Sequence, residues 1–105
     1  MSDLEALRDA MREFTAERDW ERFHDPKSLL LALVGEVGEL SELFQWLPAD
    51  SALSAAQEEP LRTRVGEELA DVLLYLVRLA DVLDVDLRSA ADRKLRANAH
   101  KHPAP

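Results

Sequence analysis

The 105-residue chain carries 21 acidic against 13 basic residues, a net charge of −8, and is 47% hydrophobic with three glycines and no cysteine. Such a chain is not disordered, has no basic patch for a nucleic-acid backbone, and holds neither disulfides nor thiolate metal sites. Met1 to Ala10 carries Asp3, Glu5 and Asp9 instead of a signal-peptide apolar run, and no stretch reaches the roughly 18 apolar residues of a membrane span, so the chain reads as a soluble, unprocessed, cytoplasmic single domain over 1–105.

Leu4, Leu7, Met11 and Phe14 stand at helical spacing and predict a first helix over 3–19. Asp25 is a good N-cap and Pro26 a good first helical residue for a second helix, which runs to about Leu47 and stops at Pro48. The segment Pro48 to Glu59 is small and polar and is expected to form a loop, with a short helical turn, that reverses the chain. Pro60 opens a third helix reaching about Leu83, and Asp86 caps a fourth over 87–100, ended by Pro103. With no strand-like alternation anywhere, the expected class is all-α, a four-helix bundle. A chain this short buries only about 60 to 70% of its unfolded surface, so oligomerisation through helix packing is expected too.

Two residues break the pattern of the middle helices. At about 100° per residue, Leu29, Leu33, Leu40 and Leu43 surround Glu36, and Leu61, Val65, Val72 and Tyr75 surround Glu68, so each acid is centred in an apolar stripe. Each has a second carboxylate three residues on, Glu39 and Asp71, on the same helical face. Such spacings usually decorate solvated faces, as Glu42, Glu58, Glu59 and Glu67 do here, but an unpaired acid on a core face costs several kcal/mol or is driven neutral. If the two helices pack antiparallel, the four carboxylates meet and call for a cation. Oxygen-only ligands select hard ions, Mg²⁺ first, with Mn²⁺ or Ca²⁺ next. Gly35, Gly38 and Gly66 lie within two residues of these acids, and a close backbone approach is expected there.

Other chemistries find little support. Glu21-Arg22-Phe23-His24 is the sole Glu-x-x-His needed for a di-iron bundle and lies at a helix end; no nucleophile elbow, P-loop or GxGxxG occurs. Lys94, Asn98 and Lys101 share one helical face suited to phosphate oxygens, although a basic helix end also suits the dipole. On spacing alone, core packing is the favoured reading for Trp20, Trp46 and Tyr75.

Four separated motifs share one resemblance: ERDW-x-x-FH (Glu17 to His24), PKSLLLALVGEVGELSELFQW (Pro26 to Trp46), EELADVLLYL (Glu67 to Leu76) and K-x-x-x-N-x-x-K-x-P (Lys94 to Pro103). In order and spacing they resemble the MazG-like all-α nucleoside triphosphate pyrophosphohydrolases, especially the short dCTP pyrophosphatases. The resemblance implies Mg²⁺-dependent hydrolysis of a (d)NTP, dCTP or a modified dCTP, to (d)NMP and pyrophosphate, a house-cleaning of the nucleotide pool. It implies Glu36, Glu39, Glu68 and Asp71 as metal ligands, with Glu39 activating water. Lys94, Asn98 and Lys101 would contact phosphates, and Trp20, Trp46 and Tyr75 would line the nucleoside pocket of a homodimer or homotetramer. Met11, Ser28 and His102 depart from the His, Asn and Tyr that close relatives often carry, Met11 near the expected base pocket. Within the fold, phosphoribosyl-ATP is an alternative substrate; outside enzymes, the alternatives are a non-catalytic helical nucleotide-binding oligomer and a plain structural bundle.

Overall fold

Aspartate and serine side chains set where three of the helices begin. In the computed structural model, which describes residues 2–105, Ser2 accepts from the Glu5 amide at 3.2 Å to open α1 (Asp3–Glu17). Asp25 accepts from the Ser28 amide at 2.9 Å and its hydroxyl at 2.7 Å to open α2 (Pro26–Phe44). Asp86 accepts from the Ser89 amide at 3.1 Å to open α5 (Leu87–Lys101). Between them lie a 3-10 turn (Glu21–Phe23), the short α3 (Ala52–Ala56) and α4 (Leu61–Val82), and no strand occurs among the described residues. The class is all-α, and α3 is the helical turn expected within the 48–59 loop.

Two helices end in a way the composition hides. Asp19 and Asp84 take φ of 54° and 56°, the left-handed conformation usually reserved for glycine. After them Trp20 N–H returns to the Thr15 carbonyl at 3.0 Å, and Val85 N–H to the Ala80 carbonyl at 2.8 Å, closing Schellman motifs. This stops α1 two residues before the expected Asp19. Helix α2 ends at Phe44, not Leu47, because Pro48 disfavours helical backbone at the residue before it and the last turn tightens to Leu47 N–H on the Phe44 carbonyl at 2.9 Å.

Helix α4 is the centre of the packing, with α2 as its main partner and α1 as its second. Residues 39–43 of α2 and its C-cap Gln45 share a pocket with residues 61–68 of α4, so the two run antiparallel. Likewise Leu4 and Arg8 lie by Val77 to Val85, whereas Met11 and Phe14 lie by Asp71 to Tyr75. Helix α5 stands apart, and every residue from Arg93 to Lys101 is exposed.

The chain alone is open. Among the described residues only Leu29, Val77 and Ala80 are buried hydrophobics. Its radius of gyration is 16.5 Å where a domain of this length has about 13 Å, and its 7944 Å² surface exceeds the roughly 5,900 Å² expected for 11.8 kDa. Leu30, Leu31, Val34 and Val37 of α2, and Leu69, Leu73 and Leu76 of α4, remain exposed. On helical wheels both sets lie about 120° round from the stripes holding Glu36 and Glu68, in the same sense. For antiparallel helices packed through those stripes, the two sets fall on one side and form a continuous apolar face.

The close backbone approach expected at the glycines is not found. A Cβ on Gly35, Gly38 or Gly66 meets nothing within 4 Å, because these positions face open space in the chain. Gly35→Ala is therefore expected to raise stability by about 1 kcal/mol through helix propensity alone. A urea melt reads it, and a fall in midpoint places a neighbouring copy against that face.

Candidate metal centre and nucleoside pocket

The α2–α4 contact carries the acids. Leu29 is 2% exposed, and Leu33, Leu40, Leu43, Leu61, Val65, Val72 and Tyr75 are buried or half-buried, so both stripes pack as their periodicity requires. Glu36 and Glu68 come with them. An Oε2 atom on each is buried without a hydrogen-bond partner. Glu36, Glu39 and Glu68 each offer an oxygen within 4.8 Å of the others. The Glu36 carboxyl is pushed up to about 7 from an ordinary 4.5, first by burial, then by the adjacent Glu68 carboxyl, then by the charges of Glu39 and Asp71.

Orphaned buried oxygens in an all-oxygen donor set suit a hard divalent cation, which would satisfy both and restore the charged form. Asp71, exposed on the next turn of α4, is outside the 4.8 Å trio but close enough for its charge to act on Glu36. Glu39 is exposed while Glu36 and Glu68 are half-buried, so it is the most solvent-accessible oxygen donor of the trio.

Two concavities flank the acids. On one side Trp20, Tyr75, Met11, Phe14, His24 and Asp71 line a pocket of about 350 Å³, the size range of small-molecule sites. Phe14 fixes Trp20 edge-to-face with ring centroids 5.7 Å apart, and the Arg18 guanidinium lies 3.6 Å over the Phe14 ring. On the other side Glu39, Glu42, Gln45, Arg64, Glu67 and Glu68 line a polar concavity of about 570 Å³. Asp71 joins the acids to the aromatic pocket; Glu39 and Glu68 join them to the polar one.

Some expected residues lie elsewhere. Trp46 is 87% exposed beyond the end of α2 and lines neither concavity. Lys94, Asn98 and Lys101 are exposed on α5 and also line neither. Of the departures, Met11 lines the aromatic pocket, Ser28 belongs to the α2 cap, and His102 is exposed.

Sequence reasoning missed a polar network centred on a buried arginine. Arg78, 7% exposed, donates from Nε to His24 Nδ1 at 3.0 Å and from Nη1 to Asp81 Oδ2 at 3.2 Å. Arg12 of α1 clamps the same Asp81 with two hydrogen bonds, and its guanidinium holds the Asp81 carboxyl below the usual carboxylate range. The signal was spacing: Asp71, Tyr75 and Arg78 recur at i, i+4 and i+7 on one face of α4.

Residues 32–105 match the MazG-like family. The chain is 51% identical over 100 residues to dCTP pyrophosphatase 1 of Bos taurus and 50% identical over 101 residues to that of Homo sapiens, covering 95% and 96% of its own length. It spans 59% of the length of each. A crystal structure of a pyrophosphatase from Archaeoglobus fulgidus superposes with a TM-score of 0.89 at 37% identity, covering 99% of this chain and 95% of that one.

The Glu36 shift sets a pH dependence. Its folded pKa of about 7 lies above the ordinary 4.5, so the metal-free folded state keeps a proton that the unfolded state gives up. This contribution is complete below about pH 4.5 and lost as pH rises through 7. The melting temperature of metal-free protein should therefore fall between pH 5 and 8, Glu36→Gln should flatten that fall, and Mg²⁺ at pH 8 should reverse it for the wild type. Unchanged melting on Mg²⁺ addition at pH 8 would remove the proposed centre.

Proposed function

The chain belongs to the MazG-like family, and on that premise we propose that it is a Mg²⁺-dependent nucleoside triphosphate pyrophosphohydrolase. The substrate is a (d)NTP, dCTP or a modified dCTP, drawn from a cytoplasmic nucleotide pool. The observation that carries the reading is the pair of buried, partnerless Glu36 and Glu68 oxygens beside an aromatic pocket. Glu36, Glu39, Glu68 and Asp71 would hold Mg²⁺, with Mn²⁺ as a substitute. When bound, the ion neutralises triphosphate charge and polarises a phosphoryl oxygen.

The chain's own residues supply the rest. Trp20 and Tyr75 stack the base for about 1 to 3 kcal/mol per base with little discrimination. The polar concavity beyond Glu39 and Glu68 leaves room for the phosphates that depart. Water adds to one phosphorus of the α–β anhydride as the bond to the bridging oxygen breaks, and Glu39 accepts the water proton. The products are the monophosphate and pyrophosphate.

A homodimer or homotetramer accounts for what a single chain leaves open. The surface in excess of a compact domain is about 2,000 Å², enough for a standard interface. The apolar face of α2 and α4 is self-complementary, and two copies meeting there form a four-helix layer. Assembly also gives Trp46, Lys94, Asn98 and Lys101 a route to a neighbouring copy's base and phosphates.

The test is a panel of dNTPs, 5-substituted cytosine nucleotides and phosphoribosyl-ATP, with and without Mg²⁺. Monophosphate plus pyrophosphate from cytosine nucleotides supports the reading, and stepwise release of single phosphates sinks it. Glu36→Gln and Glu68→Gln are each expected to lower kcat at least about 100-fold, losses in the range of removing a catalytic metal contact. Val34→Glu should dissociate the assembly in light scattering; an unchanged mass would remove this face as the interface.

A further inference from the structure

The reaction leaves the polar network around buried Arg78 without a task. Arg78, Asp81 and Arg12 bridge α4 and α1, and their one contact with the aromatic pocket is the Arg78 bond to His24 Nδ1 at 3.0 Å. A guanidinium does not give up its protons, so it can only donate, and Nδ1 must offer a lone pair. That leaves Nε2 as the sole N–H of the imidazole. Burial, and then the Arg78 charge, lower the His24 pKa and hold the ring neutral.

Stacking on Trp20 and Tyr75 tells bases apart poorly, so discrimination must come from a polar group whose direction is fixed. Among the other residues lining the pocket, Thr15 has its hydroxyl committed to the Met11 carbonyl at 2.7 Å, and Asp71 belongs with the acids. The rotation of the Tyr75 hydroxyl is free to suit either a donor or an acceptor. His24 differs because its tautomer is set from behind by a residue that is itself buried and clamped.

We propose that the Arg78–Asp81–Arg12 network fixes His24 as a neutral Nε2–H donor, and that this donor reads an acceptor, ring nitrogen or carbonyl, on the edge of the bound pyrimidine. Arg78 and Asp81 are positioning residues, and His24 is a specificity residue. A base that turns an N–H toward this position sets donor against donor and is rejected. The inference rests on the nucleotide-hydrolase reading for the identity of the ligand, and on the hydrogen-bond geometry for the tautomer.

Long-range ¹H–¹⁵N correlation spectra of the labelled protein test the tautomer, and calorimetry with dCMP, which is bound without turnover, tests the contact. His24 should show its proton on Nε2, and that signal should shift on dCMP addition. His24→Phe, which keeps a ring and loses the donor, should weaken dCMP binding about tenfold and raise KM for dCTP by a similar factor while kcat stays within about threefold. His24→Gln, which keeps an N–H, should recover part of that loss, and Arg78→Met should leave a mixture of tautomers. A proton on Nδ1, or a His24→Phe chain that binds dCMP like the wild type, overturns the proposal, even if Arg78→Met fails to fold. Binding of dCMP with no hydrolysis of any nucleotide sinks the enzymatic reading and leaves this one standing, whereas a wild-type chain that binds no nucleotide overturns both.

Discussion

Two carboxyl oxygens without partners, on Glu36 and Glu68, set the terms for the rest of the molecule. They sit inside the contact between α2 and α4, the most extensive helix contact in the chain, so the apolar stripes cannot close without bringing the acids together. Isolated charges in such a place are unfavourable by several kcal/mol, and the protein's own answer is a Glu36 that keeps its proton up to about pH 7. Protonation is a partial solution, because it removes one charge and lets the Glu36 carboxyl donate to the Glu68 carboxyl but leaves the charges of Glu39 and Asp71 beside them unbalanced. A divalent cation would partner both oxygens and balance the acids at once, and would couple folding energy to ion binding.

Helix α4 distributes the functions by angle. Its Leu61, Val65, Glu68 and Val72 stripe faces α2 and carries one of the acids of the candidate metal centre. Turned about 60 to 140° one way, Asp71, Leu74, Arg78 and Asp81 face α1 and build the aromatic pocket and its polar backing. Turned a similar amount the other way, Leu69, Leu73 and Leu76 are left to solvent. Three tasks are thus held in register by one rigid helix of 22 residues, and a shift of α4 moves all of them together.

Periodicity made the acids legible because an ionised residue inside a leucine stripe violates the strongest pattern a helix has, and the violation is visible in a single chain. Helix starts were legible for a similar reason, since Asp25-Pro26 and Asp86 carry their capping chemistry locally. The end of α1 was not, because Asp19 adopts a conformation that glycine signals and aspartate does not. The Arg78 network escaped for another reason. An arginine on a helix reads as surface until its partners are known, and Arg12 and His24 lie 66 and 54 positions away along the chain. Gly35, Gly38 and Gly66 misled in the opposite sense, because small residues mark a close approach without saying which surface approaches, and within one chain nothing does.

The charge distribution would let so acidic a chain tolerate a copy of itself at the proposed interface. A net charge of −8 opposes self-association, and it does so most strongly where carboxylates face one another. On the wheels of α2 and α4 the carboxylates Glu36, Glu39, Glu42, Glu67, Glu68 and Asp71 all fall on the site and its flank, and none falls on the arc that holds Leu30, Val34, Val37, Leu69, Leu73 and Leu76. Repulsion and apolar contact are therefore placed on different sides of the same two helices. At physiological salt the screening length of about 8 Å is shorter than a helix diameter of about 10 Å, so acids on the far side contribute little to the face that meets a partner. An ion held at Glu36 and Glu68 would reduce what remains. On the proposed reading, loading the site and closing the apolar face would favour one another without any residue being shared between them.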